Sequence, residues 1–283
     1  MTILSIQSHV SYGHVGNSAA VFPLQRIGHE VWPVHTVNFS NHTGYGEWGG
    51  ELIPAAQVAS VIDGIEARGA FADIDAVLSG YQGGSDIAEV IINTVERIKQ
   101  ANPKALYACD PVMGNAKSGC FVSDLIPPLL RDQVVPVADI ITPNQFELSY
   151  LTGVEATDIS STLKAAEAAQ ALGPETILVT SVLTPDREPG TIAMVVVNKQ
   201  GAWQVQTPYL DFKRNGSGDV TAALFTGHYV RDSDAPAALA KTASSVYSLI
   251  ERTHAQDSRE LLLIDAQAAF AEPALQFEVT KIA

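Results

Sequence analysis

Runs rich in Val and Ile alternate with helical patterns along most of this chain, and that alternation constrains the fold more than any other feature. Strand patterns lie at Thr2–Gln7, Glu30–Val37, Ala76–Ser79, Leu106–Asp110, Asp139–Thr142 and Thr176–Thr180. Helical patterns fall between them at Asn17–Ile27, Ala56–Arg68, Ile87–Asn102 and Gln145–Leu151. Repeated strand–helix–strand units give a parallel sheet covered by helices on both faces. After about residue 190 the rhythm changes. Ile192–Asn198 and Trp203–Thr207, joined by Lys199-Gln200-Gly201-Ala202, read as an antiparallel hairpin appended to the sheet. Helical patterns at Val220–Val230, Ala235–Glu251 and Asp265–Ala271 close the chain. No repeat, low-complexity run or linker interrupts it. Residues 1–283 are therefore expected to form one α/β domain of three layers, helices on either side of a mostly parallel sheet.

In such sheets ligands bind at the carboxyl ends of the strands. The polar and glycine-bearing segments of this chain fall there repeatedly. Ser8-His9-Val10-Ser11-Tyr12-Gly13 follows the first strand pattern, and Ser40-Asn41-His42-Thr43-Gly44-Tyr45-Gly46 lies beyond the second. Ser79-Gly80-Tyr81, Asp110-Pro111-Val112-Met113-Gly114 and Thr142-Pro143-Asn144 close the next three. Five such segments on one edge point to a site.

The segment richest in chemistry comes later. Asn215-Gly216-Ser217-Gly218-Asp219 leads straight into the apolar run Val220–Phe225. A glycine turn opening a helix presents unpaired N–H groups at the positive end of the helix dipole, where an anion can sit. Asp219 is badly placed to bind that anion and well placed to take a proton beside it. Its position near a helix N-terminus is expected to lower its pKa. The competing reading is an ordinary loop ending in a helix cap.

Asp110 and Glu147 come from strand ends on the same edge, where they could anchor Mg²⁺ through water; Asp110 could equally pair locally. Asn144-Gln145-Phe146-Glu147 also has the spacing of a capping box, which needs no ligand. The chain carries 31 acidic against 17 basic residues, a formal charge of −14, which argues against a nucleic-acid surface. It also means that an anionic substrate needs local dipoles, a metal ion or both; Lys213 and Arg214 are the only paired basic residues beside the turn. Cys109 and Cys120 form no disulfide framework or metal cluster; Cys109 reads as core, and Cys120, in a glycine-bearing loop, reads as a small half-buried residue before Phe121 or as an exposed thiol that could add to an aldehyde. The histidines lack metal-ligand spacing, and no nucleophile elbow, dinucleotide fingerprint or P-loop is present. No membrane span or secretory signal is visible, so a reduced, cytoplasmic protein is expected.

Together the motifs resemble a known family. Asn215–Asp219 opening a C-terminal helix is similar to the anion-hole signature of the ribokinase-like superfamily. Ser8-His9-Val10, Gly16-Asn17, Phe39–Tyr45, Cys109-Asp110-Pro111-Val112 and Asp139–Glu147 resemble the pyridoxal kinases more specifically. The resemblance runs from residue 3 to at least residue 250. It implies transfer of the γ-phosphoryl group of ATP to the 5′-hydroxyl of a vitamin B6 vitamer, with Mg²⁺, a monovalent cation such as K⁺, and a homodimer.

By the same resemblance Ser8, Thr43 and Gly44 contact the pyridine ring, with Val15 and Tyr81 bordering the pocket. Asp110, Thr142, Asn144 and Glu147 lie near Mg²⁺ and the ATP phosphates. Thr180 and Ser181 match a Thr-Ser pair that contacts ATP in animal-type members. Gly216, Ser217 and Gly218 form the anion hole, and Asp219 is the base. Lys213-Arg214 is more basic than is usual there. Two alternatives remain open: a kinase acting on hydroxymethylpyrimidine, and a non-catalytic B6-binding protein.

Overall fold

The computed structural model describes residues 1–212 and 214–283; Lys213, half of the basic pair before the glycine turn, lies outside the described residues. In chain order the elements are β1 (Thr2–Tyr12), α1 (Asn17–Arg26), β2 (Glu30–Asn41), β3 (Gly50–Leu52), α2 (Ala55–Glu66), β4 (Ile74–Ser79), α3 (Ile87–Ala101) and β5 (Leu106–Cys109). They continue with β6 (Gly114–Asn115), β7 (Gly119–Cys120), α4 (Ile126–Leu129), β8 (Ile140–Ile141), α5 (Gln145–Thr152), α6 (Ile159–Gln170), β9 (Thr176–Val182), β10 (Thr191–Asn198) and β11 (Gly201–Pro208). Helices α7 (Ser217–Asp232), α8 (Ala235–Ala255) and α9 (Gln267–Ala271) and strand β12 (Val279–Lys281) complete the chain.

Ten strands form one sheet in the order β12-β11-β10-β9-β8-β5-β4-β1-β2-β3. The six from β2 to β9 in that order run parallel, and β3, β10, β11 and β12 add antiparallel pairings at the two edges. The chain leaves β1 toward β2 on one side and returns to β4 on the other. That reversal is a switch point, where strand ends open a crevice.

The period of two in the strands divides the core. Leu4, Ile6, Val77, Ile177 and Val179 face α2, α3, α5 and α6, whereas Ile3, Ala76, Leu78 and Leu178 face α1, α7, α8 and α9. Phe225 of α7 and Leu24 of α1 are fully buried in the second layer. The helix that carries the glycine turn is thus anchored along its length, and only its first turn reaches the strand ends.

The sequence-based elements hold, with instructive shifts. β1 and β2 run on to Tyr12 and Asn41, through residues expected to be loop. After a register shift between Gln7 and His9 the two strands pair again, His9 with Asn38 and Tyr12 with Asn41. Their ends project past β4, and β3 flanks the extension on the β2 side, pairing Val37 with Leu52 and Phe39 with Gly50. Helix α6 has no counterpart among the expected elements because its buried stripe is Thr162, Ala165, Ala166 and Ala169, too small to register as an apolar period. Helix α7 starts at Ser217, so Ser217, Gly218 and Asp219 form its first turn rather than the loop before it. Among the described residues no helix is long and apolar enough to cross a membrane.

Candidate active site

The glycine turn that opens α7 is fixed by its neighbours. Gly216 is the N-cap of α7 with φ 91°, a left-handed conformation that favours glycine. Ser217 Oγ turns back toward the carbonyl of Arg214 at 3.4 Å, and Thr221 Oγ1 donates to Ser217 O at 2.7 Å. Beside Gly218 there is open space: a methyl group there would meet nothing within 4 Å. The first-turn N–H groups of a helix, here those of Ser217 and Gly218, lack intrahelical acceptors.

Asp219 is only partly exposed at the same turn. Burial pushes its carboxyl up to about 6, against the opposing pull of the Gly16 N–H that faces it and of its own N–H. The expectation that the helix N-terminus would lower this pKa is corrected: loss of water outweighs the nearby donors.

Asp110 follows the last residue of β5 and is buried, accepting a hydrogen bond from Thr142 Oγ1 at 3.0 Å. Its carboxyl is raised well above the usual range by burial first, then by Glu147 and Asp219. Glu147 is the N3 residue of α5, and the capping box with Asn144 is present. Its Oε1 accepts from the N–H groups of Met113 at 2.9 Å and Gly114 at 3.3 Å, its Oε2 from that of Asn144 at 2.9 Å. Burial nevertheless pushes it up to about 7, with Asp219 contributing. Three carboxylates therefore crowd one locality in an already acidic chain. The capping-box reading of Glu147 holds, and the same side chain stands close enough to Asp110 to raise its pKa.

Asn144 ties this corner together, donating Nδ2–H to Gly114 O at 2.7 Å and so holding the β6–β7 hairpin down. Thr180 N–H donates to Pro143 O at 2.9 Å, placing Thr180 and Ser181 beside Asn144. Ser181 is exposed with φ 54°, at the point where the register between β9 and β10 shifts.

On the other side of Asp219, Ser8 is buried beneath Gly16, where a methyl group would lie 2.3 Å from Ser8 Oγ. Val15 and Tyr81 pack against Val10, Val37 and Phe39, forming an apolar wall, and Thr36 Oγ1 donates to Tyr81 O at 3.0 Å. Thr43 and Gly44 lie exposed in a short 3₁₀ turn, Thr43–Tyr45. That turn is brought beside the glycine turn, since Asn215 Nδ2 lies 3.2 Å from His42 Nδ1. A cavity of about 240 Å³ opens between His42, Tyr45, Arg214, Asn215 and Arg259.

The structure thus gathers Ser8, Val15, Tyr81, Thr43 and Gly44 on one side of α7 and Asp110, Thr142, Asn144, Glu147, Thr180 and Ser181 on the other. Gly16, Tyr45, Arg259 and Glu260 carried no role in the sequence reading. Nothing local marks Glu260; only the folded chain brings it to the site. Cys120 is exposed on β7, whereas Cys109 is buried and its thiol pushed up to about 12 by that burial. Among the described residues no group of three or more His, Cys, Asp or Glu side chains is arranged to hold a metal directly.

Comparison with known proteins identifies the family. A family model described as phosphomethylpyrimidine kinase matches residues 52–260. The chain is 76% identical to the pyridoxal kinase PdxY of Corynebacterium diphtheriae over the whole length of both, and 63% identical to that of Leifsonia xyli subsp. xyli, again over both full lengths. Among solved structures, the pyridoxal kinase from Leishmania donovani in complex with ADP and pyridoxine superposes with a TM-score of 0.92 at 30% identity, covering 100% of this chain and 99% of that one. The pyridoxal kinase from Entamoeba histolytica gives 0.90 at 26% identity, covering 99% of each. The chain belongs to the PdxY pyridoxal kinase family, with the ribokinase-like fold.

Proposed function

We propose that this chain transfers the γ-phosphoryl group of ATP to the 5′-hydroxyl of pyridoxal, and of pyridoxamine and pyridoxine, with Asp219 as the base. The observation that carries the reading is the first turn of α7. The first-turn N–H groups, which have no intrahelical acceptors, lie beside open space at Gly218, and a carboxyl pushed up to about 6 by burial stands one residue on.

An alcohol is a poor nucleophile near neutral pH. Asp219 accepts its proton as the bond to phosphorus forms, late in a loose transition state. The N–H groups of Ser217 and Gly218 hold charge on the transferring group, and Gly216 supplies the turn that aims them. Ser8, Thr43 and Gly44 hold the ring, against the wall of Val15 and Tyr81. Asn144, Thr142, Thr180 and Ser181 line the nucleotide side.

The residues fit a divalent cation held largely through water. Asp110 and Glu147 are buried, mutually repelling, and further raised by Asp219, an arrangement that a nearby cation relieves. Most of the Glu147 acceptor capacity is already used by backbone N–H groups, so Asp110 has the freer oxygen. When bound, Mg²⁺ supplies charge neutralisation at the phosphates. K⁺ beside the anion hole and a homodimeric assembly complete the reading on family grounds.

The matching family model bears the name of a pyrimidine kinase, which keeps hydroxymethylpyrimidine as a second acceptor to be tried. The test incubates the protein with ATP, Mg²⁺ and K⁺ against the three B6 vitamers and hydroxymethylpyrimidine, following phosphorylated product by mass. Rapid product from a vitamer is expected. Product from the pyrimidine alone, or tight vitamer binding with no turnover, overturns the proposal.

A further inference from the structure

Glu260 lies after α8, and its carboxylate meets two separate loops at the rim of the site. Its Oε2 accepts the backbone N–H of His14 at 3.2 Å, in the turn that follows β1. Its Oε1 accepts the phenol of Tyr45 and lies 3.3 Å from Nε2 of His42. His42 and Tyr45 flank Thr43 and Gly44. The neighbouring Arg259 places its guanidinium 4.0 Å from the centre of the Tyr45 ring. Gly13, with φ 87°, makes the approach possible: a methyl group there would lie 2.3 Å from Glu260 Oε2.

The chemistry of this contact is one-sided. The His14 N–H and the Tyr45 O–H are both donors, and they meet opposite oxygens of one carboxylate. A carboxylate accepts at both ends, whereas an amide would turn an NH₂ toward one of them. Burial and then Glu260 hold the Tyr45 phenol above its ordinary pKa, so it remains a donor. The side chain of Glu260 is only 14% exposed, which strengthens these charge-assisted bonds relative to a surface pair.

We propose that Glu260 is a positioning residue that latches the His42–Tyr45 turn against the mouth of the site. It fixes Thr43 and Gly44 where the acceptor ring is held. Through His14 it also steadies the turn whose Gly16 N–H faces Asp219. The latch acts on the alcohol side of the centre and leaves the nucleotide corner at Asn144 and Thr180 untouched. It rests on the kinase reading above and adds a residue to it.

The test compares Glu260→Ala, Glu260→Gln, Tyr45→Phe and the Glu260→Ala/Tyr45→Phe double variant in the full chain. Hydrogen exchange across residues 40–50 reports the turn without any need for turnover, and steady-state kinetics report its consequence. Glu260→Ala is expected to speed exchange at residues 42–46 about tenfold and to raise KM for pyridoxal about tenfold, with KM for ATP within about twofold. Glu260→Gln falls between it and the parent, and the double variant is no worse than Glu260→Ala, because both changes remove one contact. Unchanged exchange, equal losses for both substrates, or fully additive effects would overturn the latch. If Glu260→Ala fails to fold, Glu260→Gln and Tyr45→Phe carry the same comparison. A parent protein that phosphorylates no alcohol removes the kinase reading instead, and exchange alone then decides whether Glu260 holds the turn.

Discussion

A methyl group at Gly216 would lie 1.8 Å from the carbonyl oxygen of His14, so the turn that opens α7 packs directly onto the turn that follows β1. The two halves of the site are set against each other at this point, with no room for a side chain. Gly216→Ala adds the strain of φ 91° to that clash, of order 1–3 kcal/mol for the backbone alone. It is expected to lower Tm by several degrees and to cut kcat by about a hundredfold or more, since the N–H groups lose their aim. Gly218→Ala is the contrasting case. Nothing lies within 4 Å of its new methyl, so Tm should hold or rise, by about 0.4–1 kcal/mol of added stability. On the proposed mechanism activity should still fall about tenfold or more, because the methyl enters the space assigned to the transferring group. Full activity in Gly218→Ala would empty that space of its assigned occupant.

Asp219→Asn keeps size and shape while removing the proposed base. An expected loss of about two to four decades in kcat, with KM much less affected, follows from the general-base role. The parent's kcat/KM should fall as pH drops through about 6, where the Asp219 carboxyl gains its proton. Glu147, at about 7, shares that limb, so the profile belongs to the cluster rather than to one group. A loss under about tenfold in Asp219→Asn would take the base role from this residue.

Asp110 offers a prediction with a definite sign in pH. Its folded pKa is raised, so the folded chain binds its proton more tightly than the unfolded chain, whose aspartates titrate near 3.9. The resulting penalty is absent below about pH 4, grows as pH rises, and is complete above the folded pKa. Asp110→Asn should therefore raise Tm at pH 8, with the gain shrinking toward pH 4, while the Thr142 hydroxyl keeps an acceptor. It should also lower activity and blunt the stabilisation that Mg²⁺ and nucleotide give the parent. Thermal melts across pH, with and without Mg²⁺ and ATP, check both halves. A lower Tm in Asp110→Asn at pH 8 would mean that the buried carboxylate is already compensated within the chain.

Most of the sheet was legible in the sequence because its strands are buried on both faces and read as continuous Val- and Ile-rich runs. The glycine turn and the capping box were legible for a similar reason, since each is a local pattern with a local cause. What escaped was set by partners distant in the chain. The continuation of β1 through Ser8–Tyr12 depends on pairing with Asn38–Asn41, which residue types such as Ser11 do not announce. The burial that raises Asp219 comes from its surroundings in the fold and exceeds the helix-end effect that sequence position suggested. Glu260 reaches Tyr45 across 215 residues of chain, and no spacing rule encodes that contact.

Ser181 links the same theme to the nucleotide side. Opposite it, β10 pairs Ala193 with Val182 and Val195 with Val179, so β9 carries one residue too many and bulges. Ser181 takes up the excess with φ 54°, a left-handed conformation that costs a non-glycine residue about 1 kcal/mol or more. Ser181→Gly relieves that cost and should raise Tm by about 2–4 °C per kcal/mol recovered. A purely structural bulge would then leave kinetics unchanged. If Ser181 instead contacts ATP, the glycine variant gains stability and loses nucleotide affinity together, with KM for ATP rising about threefold or more while KM for pyridoxal holds. Melting curves and the two KM values measured on one preparation separate these outcomes, and a rise in Tm with both KM values unchanged would remove Ser181 from the nucleotide site.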